Sequence, residues 1–176
     1  MRAIKTSIIS ILAIGLLAGS AVGVAAQDED SMVPSTFTAK GEFVGRGTAG
    51  DPQFVDGAMH VRGDFTLDVD STDPRVTGTY TYVWNEAVYP GATLSAATVH
   101  TGTVIIENEG GSWAGTFTGF RDEADADTYL AQLAGQDGYE GWTMLLDGFC
   151  ACVTGALNEP TLMQGVILRG DLPAPE

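Results

Sequence analysis

Two polar side chains stand in runs whose other members alternate between apolar and polar residues. His100 shares its alternation with Gly102, Val104 and Ile106, and Glu140 shares its own with Trp142, Met144 and Leu146. If both faces are interior, an imidazole and a carboxylate sit in an apolar enclosure. Burial there raises the pKa of the acid and lowers that of the base, bringing both toward proton-transfer range. Such a pair could stabilise charge or move a proton on a ligand held by Trp113, Tyr80 and Trp142, which is cofactor-free isomerase or cyclase-like chemistry. The competing reading puts His100 at a strand end near solvent and Glu140 on the outer face beside Tyr139. A register slip of one residue is enough to exchange the two. His60, between Met59 and Val61, reads as external.

Other residue types offer less. Cys150 and Cys152 are the only cysteines, and in an extended segment they point the same way at a separation near the upper limit for a disulfide. A strained bridge between them, two thiols and an intermolecular bridge all remain open. As zinc ligands they lack the companions a four-coordinate site needs, so no metal is expected. The alternating carboxylates of Asp68 to Asp73 lack the glycine and distant glutamate of a calcium loop and read as a solvated strand end and turn. Gly111-Ser112-Trp113-Ala114-Gly115 has the wrong offset for a nucleophile elbow. No H-E-x-x-H, P-loop or dinucleotide turn is present, and no cofactor is expected.

These residues depend on strands for their placement. Phe37, Ala39, Gly41 and Phe43 alternate with Thr36, Thr38, Lys40 and Glu42, and from Met59 to Asp70 the alternation is the clearest in the chain. A turn at Ser71-Thr72-Asp73-Pro74 leads to Val76, Gly78, Tyr80, Tyr82 and Trp84 on one face. Asn108-Glu109-Gly110-Gly111 marks a hairpin between Thr98–Glu107 and Ser112–Gly119. Asp122 to Asp127 fits either the cap of a short helix or a turn before a strand at Thr128–Ala134, with the strand favoured, and Tyr139–Leu146 and Met163–Arg169 read as the last two strands. About eight short strands without a long amphipathic helix imply an all-β domain. Glycines alternating with large residues suit a small, tightly coiled antiparallel barrel, with a β-sandwich as the alternative.

The aromatic residues Tyr80, Tyr82, Trp84, Trp113, Phe117, Tyr139 and Trp142 fit either a packed core or the lining of a ligand cavity. An eight-stranded barrel is just wide enough for side chains to fill or for one small ligand. A small apolar molecule is therefore the expected partner, with an interaction or structural module as the alternative.

The segments Asp73-Pro74-Arg75-Val76-Thr77-Gly78, Gly111 to Gly119, Gly138-Tyr139-Glu140-Gly141-Trp142 and Gln164-Gly165-Val166-Ile167 resemble uncharacterised secreted bacterial proteins. Those in turn look like the small barrels of allene oxide cyclase and the plant dirigent proteins. The resemblance spans roughly residues 57 to 171 and implies Gly-aromatic strands around an apolar cavity that guides a ligand by its shape. Its motifs are architectural and specify no catalytic residue.

Bulk properties set the setting. Arg2 and Lys5 precede an uncharged run from Ser7 to Ala26 that ends Val24-Ala25-Ala26, the pattern of a cleavable signal peptide over residues 1–26. Residues 27–34 read as a flexible lead-in, 35–171 as the barrel and 172–176 as a tail. Removal of the signal leaves 150 residues, with 6 basic side chains against 23 acidic ones. One domain of that size buries enough surface to fold alone. A secreted location is expected, and so acidic a chain repels nucleic acid and anionic membrane surfaces. After cleavage no membrane association is expected.

Overall fold

The period-two runs become nine strands. The computed structural model describes residues 34–47, 49–89, 97–121, 126–150 and 160–171. The expected signal peptide, nearly all of the lead-in, Cys152 and the tail lie outside the described residues. The strands are β1 (Ser35–Arg46), β2 (Gln53–Val55), β3 (Ala58–Ser71), β4 (Gly78–Tyr89), β5 (Ala97–Asn108), β6 (Gly111–Arg121), β7 (Asp127–Gln136), β8 (Trp142–Cys150) and β9 (Thr161–Arg169).

From β3 to β9 each strand pairs antiparallel with the next, and β1 lies between β9 and β3. Ser35 pairs with Ile167 of β9, and Ala39 with Ser71 of β3. The sheet thereby closes into an eight-stranded barrel, which removes the sandwich alternative. The ninth strand, β2, takes the first residues of β3, where Gln53 pairs with His60. The alternation that starts at Met59 does not extend back to Gln53–Val55, where no strand is expected from the sequence.

Alternation fixes which side chains enter. Tyr80, Tyr82, Val104, Ile106, Trp113, Leu133, Met144, Leu146 and Ile167 are buried inside the barrel, while their chain neighbours face out. Inward glycines make room for rings in a barrel this narrow. A Cβ on Gly63 would lie 2.7 Å from the Trp84 ring, and Gly148 and Gly165 lie beneath Tyr129 and Phe37. Burial of these aromatics, together with the aliphatic residues between them, drives folding at about 25 cal/mol for each Å² removed from water.

The strand expected from Tyr139 begins later. Asp137–Tyr139 form one turn of 3-10 helix, and Gly141 adopts φ +77°, a left-handed backbone that breaks the alternation before Trp142. The same strand runs on to Cys150, which sequence reading had placed in the following connection. Cys150 is buried and disulfide-bonded.

Candidate functional site

The two ends of the barrel are built differently. At one end the connection between β3 and β4, residues 72–77, folds inward as a plug. Val76 is fully buried, and its carbonyl accepts the Tyr80 hydroxyl at 2.8 Å. Arg75 holds the plug in place. Its Nε and Nη2 donate to the two oxygens of Asp73 at 3.0 and 2.7 Å, and Nη2 also donates to the Ser35 hydroxyl at 2.6 Å. The guanidinium carbon lies 5.1 Å from the centre of the Trp142 ring, within cation–π range. The Arg75 carbonyl accepts from Trp113 Nε1 and Asn108 Nδ2. Burial opposes ionisation of Asp73, but the hydrogen bonds and charge of Arg75 outweigh it and hold the carboxyl below its usual range.

Tyr139 completes this closed end. Its ring stacks on Trp113 with centroids 5.0 Å apart, and its hydroxyl donates to Asn108 Oδ1 at 2.7 Å. Burial pushes the Tyr139 hydroxyl pKa up. Deeper in the barrel, the hydroxyls of Tyr82 and Tyr129 share a hydrogen bond at 2.9 Å. Burial raises the pKa of both, so both are neutral at physiological pH. Tyr80, Tyr82, Trp113, Phe117 and Tyr139 thus belong to a packed core in which every hydroxyl and the Trp113 N–H has a protein partner.

The opposite end lacks such a plug among the described residues. The inward-facing Phe43, Phe65 and Trp84 pack against the core yet remain partly exposed. They form the upper steps of a continuous aromatic column. Phe43 contacts Phe65 at 5.4 Å, Phe65 stacks on Tyr82 at 4.7 Å, and Tyr82 meets Phe117 edge-on at 5.5 Å. Trp84 lies over Gly63, and its indole N–H makes no hydrogen bond among the described residues while remaining accessible.

Four ionisable side chains share this mouth, each at an inward position of its strand. Arg121 of β6 donates from Nε and Nη2 to the two oxygens of Asp127 on β7, at 3.0 and 3.2 Å. Its Nη1 donates to Glu86 of β4 at 3.2 Å. His100 of β5 is 8% exposed, with Nδ1 3.8 Å from Asp127, beyond hydrogen-bond length. Its Nε2 lies over Gly119, beside the backbone of β6 and β7. Burial lowers the His100 pKa, the Asp127 carboxylate pulls it up, and the Arg121 guanidinium lowers it further. The net shift is downward, so the imidazole is neutral near pH 7.

The structure therefore separates the two residues with which the sequence argument began. His100 faces inward, as its alternation predicts. Glu140 is exposed in the turn beside Gly141, at the closed end, where the left-handed glycine has already broken the pattern. No ligand at one mouth can touch both, and the acid–base route through that pair is withdrawn. Trp84 and Trp142 likewise lie at opposite ends, so the seven aromatic candidates do not line one cavity. Sequence reading missed Phe43, Phe65, Glu86, Arg121 and Asp127 as site residues. The inward parity of Phe43 and Phe65 was readable in the alternation, whereas Glu86, Arg121 and Asp127 lie beyond the strand ends that the alternation marks and become inward positions only because β4, β6 and β7 are longer than expected.

Outside the barrel, Val99, Phe120, Phe149 and Leu162 form an exposed apolar row across β5, β6, β8 and β9, bridged by Thr128 of β7. A shallow groove of about 550 Å³ crosses β7, β8, β9 and β1, floored by Leu130, Leu145 and Val166 and edged by Thr36, Thr38 and Gln164. No three metal-ligating side chains converge among the described residues.

No protein-family model, curated protein or solved structure matches this chain. The mouth must be interpreted from its own chemistry. An aromatic wall with one accessible N–H can hold an apolar body and donate one hydrogen bond to it. The charged Glu86, Arg121 and Asp127 beside it supply a fixed field. His100 directs one ring nitrogen toward Asp127 and the other over Gly119.

Proposed function

We propose that this chain is a secreted barrel that binds one small, mainly apolar molecule at the mouth opposite the Arg75 turn. The supporting observation is the asymmetry of the interior. At the closed end the Tyr80 and Tyr139 hydroxyls and the Trp113 N–H are engaged and the turn covers the core, whereas at the other end Phe43, Phe65 and Trp84 stay partly exposed and Trp84 keeps an accessible N–H. Partly wet aromatic surface at the mouth of a small barrel gains free energy when a ligand displaces the water. The signal-like residues 1–26 support an extracellular setting.

Trp84 also provides the measurement. Trp113 is buried at the closed end and Trp142 lies on the closed rim, so a ligand at the mouth perturbs chiefly the Trp84 emission. Titration with a small aromatic alcohol is expected to quench that emission with single-site saturation, and Trp84→Ala should weaken binding by roughly tenfold or more. Unchanged binding in Trp84→Ala would place the ligand elsewhere and end this reading.

A second reading, an extracellular interaction module, draws on the outer row of Val99, Phe120, Phe149 and Leu162. It predicts the opposite sensitivity: Phe120→Ser with Phe149→Ser would reduce self-association and leave ligand binding at the mouth intact.

A further inference from the structure

The outside of the barrel has two unlike sides. The outward positions of β3 carry His60, Arg62, Asp64, Asp68 and Asp70 around Thr66. On β6, β7, β8 and β9 the outward positions hold one ionisable side chain, Asp147. Around the closed sheet β7 is separated from β3 by β6, β5 and β4 one way and by β8, β9 and β1 the other, so the uncharged side is centred diametrically opposite the charged one. At that centre Leu130 is 60% exposed, and Phe120 and Phe149 on the neighbouring strands are 56% and 45% exposed. In a chain of net charge −15, a side so poor in charge and so rich in exposed apolar groups marks a contact surface.

The order of side chains across this side fits a second copy of the chain. Val99 pairs with Phe120, Phe120 with Thr128, Thr128 with Phe149 and Phe149 with Leu162. From Thr128 outward the row is the same in both directions, a phenyl ring and then an aliphatic side chain. An isologous two-fold contact requires such a match, because residue i of one copy must suit residue j of the other and the reverse. A two-fold axis along β7 sets each Phe120 on Phe149 of the second copy and each Leu130 on its own counterpart.

The next row fixes the direction of that axis. There Thr118 pairs with Leu130, and Leu130 with Asp147. With the axis along β7, Asp147 of each copy stands opposite a Thr118 hydroxyl, a donor for its carboxylate. An axis across the strands at this row would set Asp147 against Asp147, two like charges in a partly desolvated contact.

We infer that two copies of the chain meet on this side as a reversible homodimer whose two-fold axis runs along β7 through Thr128 and Leu130, an inference that rests on the reading of the outer row as an interaction surface. The same geometry holds the two charged β3 sides as far apart as the barrels allow, which limits repulsion between two acidic chains. Five strands about 4.8 Å apart and about 30 Å long give a footprint of roughly 600 Å², somewhat under the roughly 800 Å² per partner of a standard interface, so a dimer of micromolar affinity is expected.

Sedimentation equilibrium over about 1 to 100 µM protein should show a monomer–dimer equilibrium that tightens as salt rises from about 20 to 500 mM, because screening removes repulsion between the two net charges. Leu130→Asp should weaken the dimer by at least about tenfold and leave the melting temperature close to the parent's, since the side chain it replaces is exposed. A short bismaleimide should link Leu130→Cys to its own copy, whereas Thr66→Cys on β3 should stay unlinked. The salt series needs no variant, so a substituted chain that fails to fold leaves the test in place.

If Phe120→Ser with Phe149→Ser dissociates the dimer while Leu130→Asp has no effect and Leu130→Cys stays unlinked, the row is an interface and the β7 axis is overturned. If the protein is monomeric over the whole range, or its association ignores Phe120 and Phe149, both the dimer and the reading beneath it fail. Association that weakens with salt would assign the contact to the charged strands and overturn the account.

Discussion

Nδ1 of His100 faces Asp127 and Nε2 rests over Gly119, so this imidazole has a place only while it is uncharged and the glycine opposite carries no side chain. Its pKa is lowered from an ordinary value of 6.5, first by burial and then by Arg121, against the pull of Asp127. The linkage follows in sign. Between the lowered folded value and 6.5 the unfolded chain binds the extra proton, so this contribution to stability is complete above 6.5 and is lost as the pH falls below it. His100→Gln should remove that part of the pH dependence. Urea midpoints measured from about pH 7.5 down to about pH 5 should fall less steeply for the variant than for the parent chain. Parallel profiles would show that the imidazole is not buried in the neutral form.

At the scale of strands, most of the architecture was legible because one face of each strand must be apolar. The inward parity of Phe37, Leu67, Tyr80, Val104 and Trp113 follows directly from alternation. Alternation cannot say where a strand starts, however, and the left-handed backbone of Gly141 was enough to turn Glu140 from an interior candidate into an exposed rim residue. Nor could it show which end of the barrel is sealed. That depends on Arg75 reaching Ser35, Asn108, Trp113 and Trp142, contacts that no local pattern encodes. Trp113 is the element-level test of this seal, since it stacks on Tyr139 and bonds the Arg75 carbonyl while fully buried. Trp113→Ala should cost about 3–5 kcal/mol, read from the shift in denaturant midpoint. A cost near that of a surface substitution would mean that the plug stays seated without it.

The whole molecule carries a formal charge of −15 over 176 residues, and much of that charge is on outward strand positions and connections. Self-repulsion of this kind opposes the compact state and is screened within about 8 Å at physiological ionic strength. Thermal melts should therefore shift upward as salt is raised from millimolar to physiological levels, although the Arg75–Asp73 pair, being buried, should hardly respond. A downward shift would mean that attractive surface pairs outweigh the excess of carboxylates.

The pairing of β1 with β9 has a consequence for how this barrel comes into being. From β3 to β9 every strand pairs with its neighbour in the chain, so those pairings can form in order as the polypeptide emerges. Ser35 to Gly41, by contrast, must wait for Thr161 to Ile167. Until that last strand arrives, β1 and the growing edge of the sheet each expose a row of unsatisfied backbone groups. The seam is thus both the slowest contact to form and the place where two nascent chains could exchange strands. The same pairing sets the two chain ends of the finished barrel side by side. A short linker from residue 171 back to residue 34 would convert the slow seam into a local hairpin, relocating the kinetic bottleneck while leaving the native pairings unchanged.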